Sequence, residues 1–224
     1  MNRFAWLLDR LAYEPRRNAK IALIADYLRT TADPDRGYAL AAMTGGLVFR
    51  NAKAGLIRAL IAERTDPVLL ALSYDYVGDL SETVALMWPA RHGANAVPHL
   101  PEVVESLREA GKTDLPRLVA SWLDALDETG RWALLKLITG SLRIGVSARL
   151  AKTAAASLGG VPPDEVEQVW HGLEPPYAEL FAWLEGNGPR PEARDPAPFR
   201  PVMLSHPLED GDFDRLDPAE FMAE

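Results

Sequence analysis

Residues 131–160 read RWALLKLITGSLRIGVSARLAKTAAASLGG, two apolar helical patterns separated by the break Thr139, Gly140, Ser141. The stretch holds five Arg or Lys residues and no Asp or Glu, although the whole chain has a formal net charge of −8. We expect Ser147 to cap the second helix, since a serine hydroxyl accepts a hydrogen bond from a free N–H of the first turn. Such a helix start suits phosphate, because free N–H groups and the helix dipole attract anions.

The same pattern occurs a second time in the chain. Residues 36–62 read RGYALAAMTGGLVFRNAKAGLIRALIA, and Thr44 of this stretch precedes Thr139 by 95 residues. At that offset Gly45 aligns with Gly140, and apolar positions align on both sides of the break. The first copy is also free of acids, and its cations are Arg36, Arg50, Lys53 and Arg58. Because self-similarity at a fixed offset indicates duplicated architecture, we predict two pseudo-symmetric helical lobes, each with one cationic face.

Helical periodicity extends over the first 185 residues, and Pro or Gly marks most segment boundaries. We therefore predict an all-α fold of about a dozen helices, with lobes at about residues 1–88 and 99–185. Two helix starts are expected at Asp66, as an N-cap followed by Pro67, and at Asn51. Residues 186–201, GNGPRPEARDPAPFRP, have the composition of a linker. Residues 202–224 are expected to begin a further domain.

Composition limits the environment of the chain. It contains no cysteine, which excludes disulfides and thiolate zinc sites and fits a reducing cytoplasm. No apolar run approaches the roughly 20 residues of a membrane helix, so no membrane partner is expected. Residues 174–224 contain twelve acids and four bases, so the net negative charge belongs to this end and residues 1–173 balance to zero. A local cationic patch is what matters for binding phosphates.

Few residues suggest catalysis. The four histidines lack metal-ligand spacing, and no phosphate-binding loop, dinucleotide fingerprint or nucleophile elbow is present. We predict neither a metal site nor a cofactor site in this chain. Arg and Lys on helices usually form a solvated surface, but Arg143 lies between two glycines, where the backbone can approach a ligand. The candidates for phosphate contact are Arg143, Arg149 and Lys152, followed by Arg50, Lys53 and Arg58 of the first copy.

Three segments resemble a known family. Residues 134–158, LLKLITGSLRIGVSARLAKTAAASL, resemble the most characteristic segment of the N-terminal DNA-binding domain of ATP-dependent DNA ligases. Residues 76–88, YVGDLSETVALMW, are similar to the Gly-Asp-Leu stretch of that family. Residues 199–207, FRPVMLSHP, are similar to the segment that leads into its adenylation domain, although Val202 and Ser205 depart from the usual form.

The resemblance implies an all-helical domain with internal pseudo-two-fold symmetry. In that family the domain binds nicked duplex DNA through the minor groove and the sugar-phosphate backbone. By position, the DNA-contacting turn would comprise Thr139, Gly140, Ser141, Arg143 and the helix start at Ser147. Its counterpart in the first lobe would comprise Thr44, Gly45, Gly46 and Arg50.

The catalytic lysine of the family lies in a Lys-x-Asp-Gly motif, and no lysine of this chain is followed by that pattern. The chain is therefore expected to be inactive alone, whereas ATP and Mg²⁺ are cofactors of the full-length parent enzyme. Nicked double-stranded DNA and the catalytic domain of the same ligase are the implied partners. We expect a monomer at the nucleoid that acts in DNA repair, replication or recombination. The alternative is a helical protein–protein scaffold with no DNA role. A complete enzyme of unknown type remains as a third hypothesis.

Overall fold

A computed structural model describes residues 1–89 and 96–192. Within these ranges all regular secondary structure is helical, which confirms the prediction of an all-α fold of about a dozen helices. None of the described helices is long and apolar enough to cross a membrane. The twelve described helices are α1 (Asn2–Tyr13), α2 (Arg17–Thr30), α3 (Asp35–Thr44), α4 (Ala54–Ala62), α5 (Pro67–Val77), α6 (Leu80–Met87), α7 (Leu100–Glu109), α8 (Leu115–Ala125), α9 (Glu128–Thr139), α10 (Ala148–Gly159), α11 (Pro163–Trp170) and α12 (Ala178–Leu184).

Helices α1–α6 and α7–α12 follow each other in matched order. The third helix of each series, α3 or α9, ends at the Thr-Gly pair that the sequence repeats. Gly45 and Gly140 then adopt left-handed backbone conformations, with φ of 76° and 67°. Glycine reaches this region without the steric cost that a Cβ imposes, and it ends helices for that reason. The break that is visible in the sequence is therefore a helix C-cap in both copies.

Helices of the two series are intertwined. The third helix of each series packs on the first helix of the other, α3 on α7 and α9 on α1. The fourth helix of each series packs on the second helix of the other, α4 on α8 and α10 on α2. Buried apolar side chains from both series consequently form one continuous core. The loop between the third and fourth helices of one series is thus held by the other series.

Two buried arginines join the series at matched positions. The Arg36 side chain donates to the carbonyl oxygen of Leu28 at 3.4 Å, and Arg131 donates to that of Leu123 at 2.7 Å. Arg131 also donates to the carbonyl of Trp88 at the end of α6. Arg36 pairs with Asp33 and with Glu185, which lies at the end of α12. Arg36 and Arg131 belong to the two cationic stretches of the sequence, but their side chains are buried and connect helices of the two series.

The predicted helix starts have different outcomes. Asp66 caps α5, accepting from the N–H groups of Val68 and Leu69 at 2.9 Å, and Pro67 is the first helical residue, as predicted. The prediction that Asn51 caps a helix was wrong, because its side-chain amide donates to the carbonyl of Ala110. Helix α4 begins instead after Lys53, and no side chain caps it.

The first part of the predicted linker lies against the domain. The Arg190 guanidinium donates to the amide oxygen of Gln168 at 2.7 Å and lies over the ring of Trp183. The rest of that linker and the predicted start of a further domain, residues 193–224, lie outside the described residues.

Candidate nucleic-acid interface

The candidate residues cluster at two matched loops. The first loop, residues 45–53, joins α3 to α4, and the second loop, residues 140–147, joins α9 to α10. Each loop buries a large apolar side chain at the matched position, Phe49 in the first and Ile144 in the second, and both are nearly inaccessible. These side chains are 95 residues apart, the offset of the sequence repeat. Such burial in the middle of a loop fixes the positions of the flanking residues.

The second loop has an unusual backbone. Gly140, Arg143 and Gly145 all lie in the left-handed region, with φ of 67°, 49° and 65°. For a residue with a Cβ this conformation costs on the order of 1 kcal/mol, and such residues concentrate at functional sites. The Arg143 side chain is exposed, and its Nε donates to the hydroxyl of Ser141 at 3.1 Å. The strained backbone therefore presents a guanidinium at the protein surface.

Helix α10 begins at the end of the second loop. Ser147 is its N-cap and accepts a hydrogen bond from the N–H of Leu150 at 3.2 Å, which confirms the predicted cap. Arg149 follows on the first turn and is exposed. Its contact with Asp164 is long, at 3.8 Å, and both side chains are about four-fifths exposed, at 77% and 80%. Exposed pairs of this kind contribute little, so the contact leaves the Arg149 guanidinium open to a stronger anion.

The side chain of Lys20 supports the second loop from the protein interior. This buried side chain donates from Nζ to the carbonyl oxygens of Ile144 at 2.6 Å and Gly145 at 3.0 Å. Lys20 was not predicted as a site residue. The signal was present in the repeat, because Lys20 aligns with the buried Leu115, and a lysine at an apolar position needs polar partners.

The first loop is more open. Gly45 and Gly46 are exposed, and a Cβ on Gly46 would lie 2.6 Å from the hydroxyl of Tyr177. The exposed side chains of Arg50 and Lys53 form no ion pair within the described ranges. Arg58, on the second turn of α4, is exposed and lies over a tyrosine ring. Because α4 has no side-chain cap, its first N–H groups add to the positive character of this loop.

Lys152 was predicted to contact phosphate, but it does not lie with the exposed cations. Its ammonium is buried, 2.6 Å from the carboxylate of Glu167 and over the ring of Trp170. A buried, paired charge is not available to a ligand without breaking that pair. Lys136 is similarly buried against Asp79 at 2.7 Å.

Four of the nine cations in the two acid-free stretches are therefore buried, namely Arg36, Arg131, Lys136 and Lys152. Carboxylates from outside the two stretches pair with Arg36, Lys136 and Lys152, whereas Arg131 donates to main-chain carbonyl groups. The exposed cations of the two stretches are Arg50, Lys53, Arg58, Arg143 and Arg149.

A chain of side-chain contacts connects the first loop with α10. The Tyr177 hydroxyl lies against Gly46 of the first loop, 2.6 Å from the position that a Cβ on this glycine would take, and burial raises the pKa of this tyrosine. The Tyr177 ring packs on Trp170 with centroids 4.8 Å apart, and Trp170 in turn contacts Lys152 of α10 at 4.6 Å. The position of the first loop is thus coupled to the helix that carries Arg149.

Comparison with protein-family models found no match, and comparison with curated proteins found none either. Among residues 1–89 and 96–192, no group of three His, Asp or Glu side chains could hold a metal ion. The two loops and the adjoining starts of α4 and α10 carry the exposed cations of both acid-free stretches.

Proposed function

We propose that the chain binds duplex DNA through the two matched loops and the starts of α4 and α10. The observation that carries the proposal is the set of five exposed cations at these two junctions, each beside a helix start. Phosphate is the anion that such a surface suits best, because the guanidinium groups, ammonium group and helix dipoles all favour negative charge. Backbone contacts of this type position a protein on DNA without reading its sequence.

Different residues would take different parts in this binding. The guanidinium groups of Arg143, Arg149 and Arg50, with Lys53 and Arg58, would pair with phosphate oxygens. The residues at the two breaks would bring main-chain N–H groups close to the backbone: Thr139, Gly140 and Ser141 in the second copy, and Thr44, Gly45 and Gly46 in the first. Contacts that depend on backbone shape fit the minor groove, where base-edge information is degenerate.

The more specific part of the proposal rests on the resemblance to DNA ligases. If the chain belongs to that family, it is the DNA-binding part of an ATP-dependent ligase and holds a nicked duplex for a catalytic domain. ATP and Mg²⁺ would be bound by that domain, so the present chain would bind nicks at the nucleoid without sealing them. Repair, replication and recombination all produce such nicks.

Binding to a nicked duplex across a salt series tests the proposal. If all five cations contact phosphates, the logarithm of the association constant should fall with the logarithm of salt concentration with a slope of about −4 to −5. Arg143→Glu and Arg149→Glu should each weaken binding and flatten this slope. Arg29→Glu is the matched control, because Arg29 is an exposed arginine nine residues beyond Lys20 on α2, or about 13 Å along the helix.

The alternative function, a protein–protein scaffold, predicts the opposite pattern. Binding to DNA would be weak or absent, and Arg29→Glu would change it as much as Arg143→Glu. Equal binding by wild type and by both interface variants would remove the proposed site. An intact duplex of the same sequence, measured in parallel, separates general duplex binding from a preference for nicks.

A further inference from the structure

Helix α5 has an apolar sequence but no buried residue. Its eleven residues, PVLLALSYDYV, include a single charged side chain, Asp75. Val68, Leu72 and Tyr76 are spaced four apart and therefore form one stripe along the helix. Their exposed fractions are 67%, 63% and 93%. An amphipathic helix normally turns such a stripe toward the core, so the exposed stripe of α5 lacks the cover that its sequence requires.

The apolar surface extends beyond this stripe. Leu69 lies beside it on α5 and is 54% exposed, and Leu86 of the neighbouring helix α6 is 64% exposed. The exposed parts of these five side chains amount to an area on the order of 600 Å², at the upper limit of the largest patch on a typical monomer.

The corresponding helix of the second series is packed. Helix α11 lies on α10 and buries Val166 and Val169. The residues 95 positions earlier are Ala71 and Tyr74 of α5, and neither is buried. A groove of about 250 Å³ lies between α5 and α4 at this place, and its lining includes Arg58, Asp75 and apolar side chains such as Ile61 and Leu70. The two series thus differ at their fifth helices. Helix α11 packs on α10, whereas α5 has no buried residue.

We propose that a second copy of this chain covers the α5 surface. Leu72 lies at the middle of the helix, so two copies related by a two-fold axis can pair α5 antiparallel with their Leu72 side chains at the centre. Val68 of one copy then meets Tyr76 of the other. No charged residue lies on the stripe itself, so the centre of the pairing is apolar.

The area of the patch fits a weak dimer. Two copies would together bury at most about 1,200 Å², the lower limit for specific protein–protein interfaces. The association is therefore expected to depend on concentration, and it should resist salt because it is apolar. This inference departs from the monomer expected from the sequence, and it does not depend on DNA binding.

Sedimentation analysis of the whole chain without DNA, from low micromolar to near-millimolar concentration, tests the inference. Wild type should pass from monomer to dimer with increasing concentration. Leu72→Glu should raise the dimer dissociation constant by about a hundredfold or more, since residues at the centre of an interface dominate its affinity. Tyr76→Glu should also raise it, because the new carboxylate would lie against the apolar Val68 of the other copy. Tyr13→Glu is the matched control, because Tyr13 is 83% exposed on α1, and it should leave the constant unchanged. Thermal unfolding would verify that each variant is folded.

Three results would overturn the inference. A wild-type chain that stays monomeric over the whole range has no second copy on α5. A chain that ends at Glu192 and dimerises when the whole chain does not would identify the C-terminal segment of the same molecule as the cover. Loss of the dimer in Tyr13→Glu to the same extent as in Tyr76→Glu would place the contact elsewhere.

Discussion

Lys20 and Gly145 meet across the two helical series: the Lys20 ammonium donates to the carbonyl of Gly145 at 3.0 Å. Lys20 is on α2 of the first series, whereas Gly145 is in the loop that presents Arg143 in the second. The only acceptors of this ammonium within the described residues are two carbonyl groups of that loop. A buried lysine thus fixes the backbone of the loop and adds its positive charge beneath it.

Gly145→Ala should disturb this support. The new Cβ would lie 2.5 Å from Lys20 Nζ, and the backbone has a left-handed φ of 65°. We expect a loss of about 1–2 kcal/mol in unfolding free energy, together with weaker DNA binding. Gly160→Ala is the control, since its φ is 63° but its Cβ would meet nothing within 4 Å. Gly160→Ala should lose only the part of the unfolding free energy that comes from placing a Cβ on a left-handed backbone, and it should bind DNA normally. If both variants behave alike in urea unfolding and in DNA titration, Lys20 does not support the second loop in the way proposed.

Lys152 is a buried structural cation and Arg149 is a proposed DNA-binding cation, and both lie on helix α10. Lys152→Met removes one member of a buried ion pair and leaves Glu167 unpaired, so we expect a loss of about 1–3 kcal/mol in unfolding free energy. The salt slope of DNA binding should not change. Arg149→Met should alter the unfolding free energy by less than about 0.5 kcal/mol and reduce the salt slope by about 0.9. Urea unfolding and DNA titrations in salt check both halves of this prediction, and reversed effects would contradict the assignment of the two cations.

Asp79 and Lys136 form a second buried pair that can be tested by a double-mutant cycle. Asp79 also caps α6 by accepting from the N–H of Glu82 at 3.0 Å. Asp79→Ala should cost about 3–5 kcal/mol because it leaves the buried Lys136 ammonium without its partner. Adding Lys136→Met to that variant should recover part of the loss, since the unpaired charge is then gone. Strictly additive effects in urea unfolding would show that the two residues are not coupled.

The same pair predicts a pH dependence. Burial tends to raise the pKa of Asp79, but the hydrogen bonds from Lys136 and from the start of α6 outweigh it, so the pKa is lowered. A depressed pKa in the folded state stabilises the protein above the unfolded value of about 3.9, and this stabilisation disappears as pH falls through the folded pKa. The stability difference between wild type and Asp79→Asn should therefore be constant near neutral pH and shrink below about pH 4. Thermal unfolding from pH 7 to pH 3 measures it, and a constant difference would contradict the prediction.

Local features of the fold could be predicted from the sequence, but long-range pairing could not. The C-cap glycines after Thr44 and Thr139 and the Ser147 cap follow from contacts within a few residues, and their sequence signals are specific. The pairing of Lys152 with Glu167 depends on how α11 packs on α10, and no sequence window contains that information. The candidate cations predicted from the acid-free stretches consequently included the buried Lys152, and they did not include Lys20, which supports the second loop.

Gly37 tests the packing that holds the first loop in place. This residue lies near the start of α3, where a Cβ would come 1.7 Å from the carbonyl oxygen of Pro176. Because that contact is with backbone, Gly37→Ala must displace the chain just before α12, including Tyr177, whose hydroxyl lies against Gly46 of the first loop. We expect a loss of about 3 kcal/mol or more in unfolding free energy.

Gly55→Ala provides the matched comparison for Gly37→Ala. Gly55 is also a helical glycine, near the start of α4, but its Cβ would meet nothing within 4 Å. Alanine should there stabilise the helix by about 0.5–1 kcal/mol, because it loses less backbone entropy on folding than glycine does. The two Gly→Ala changes should therefore have opposite signs in urea unfolding. A neutral or stabilising Gly37→Ala would mean that α12 does not lie against α3 as described, and the coupling of Tyr177 to the first loop would have to be abandoned.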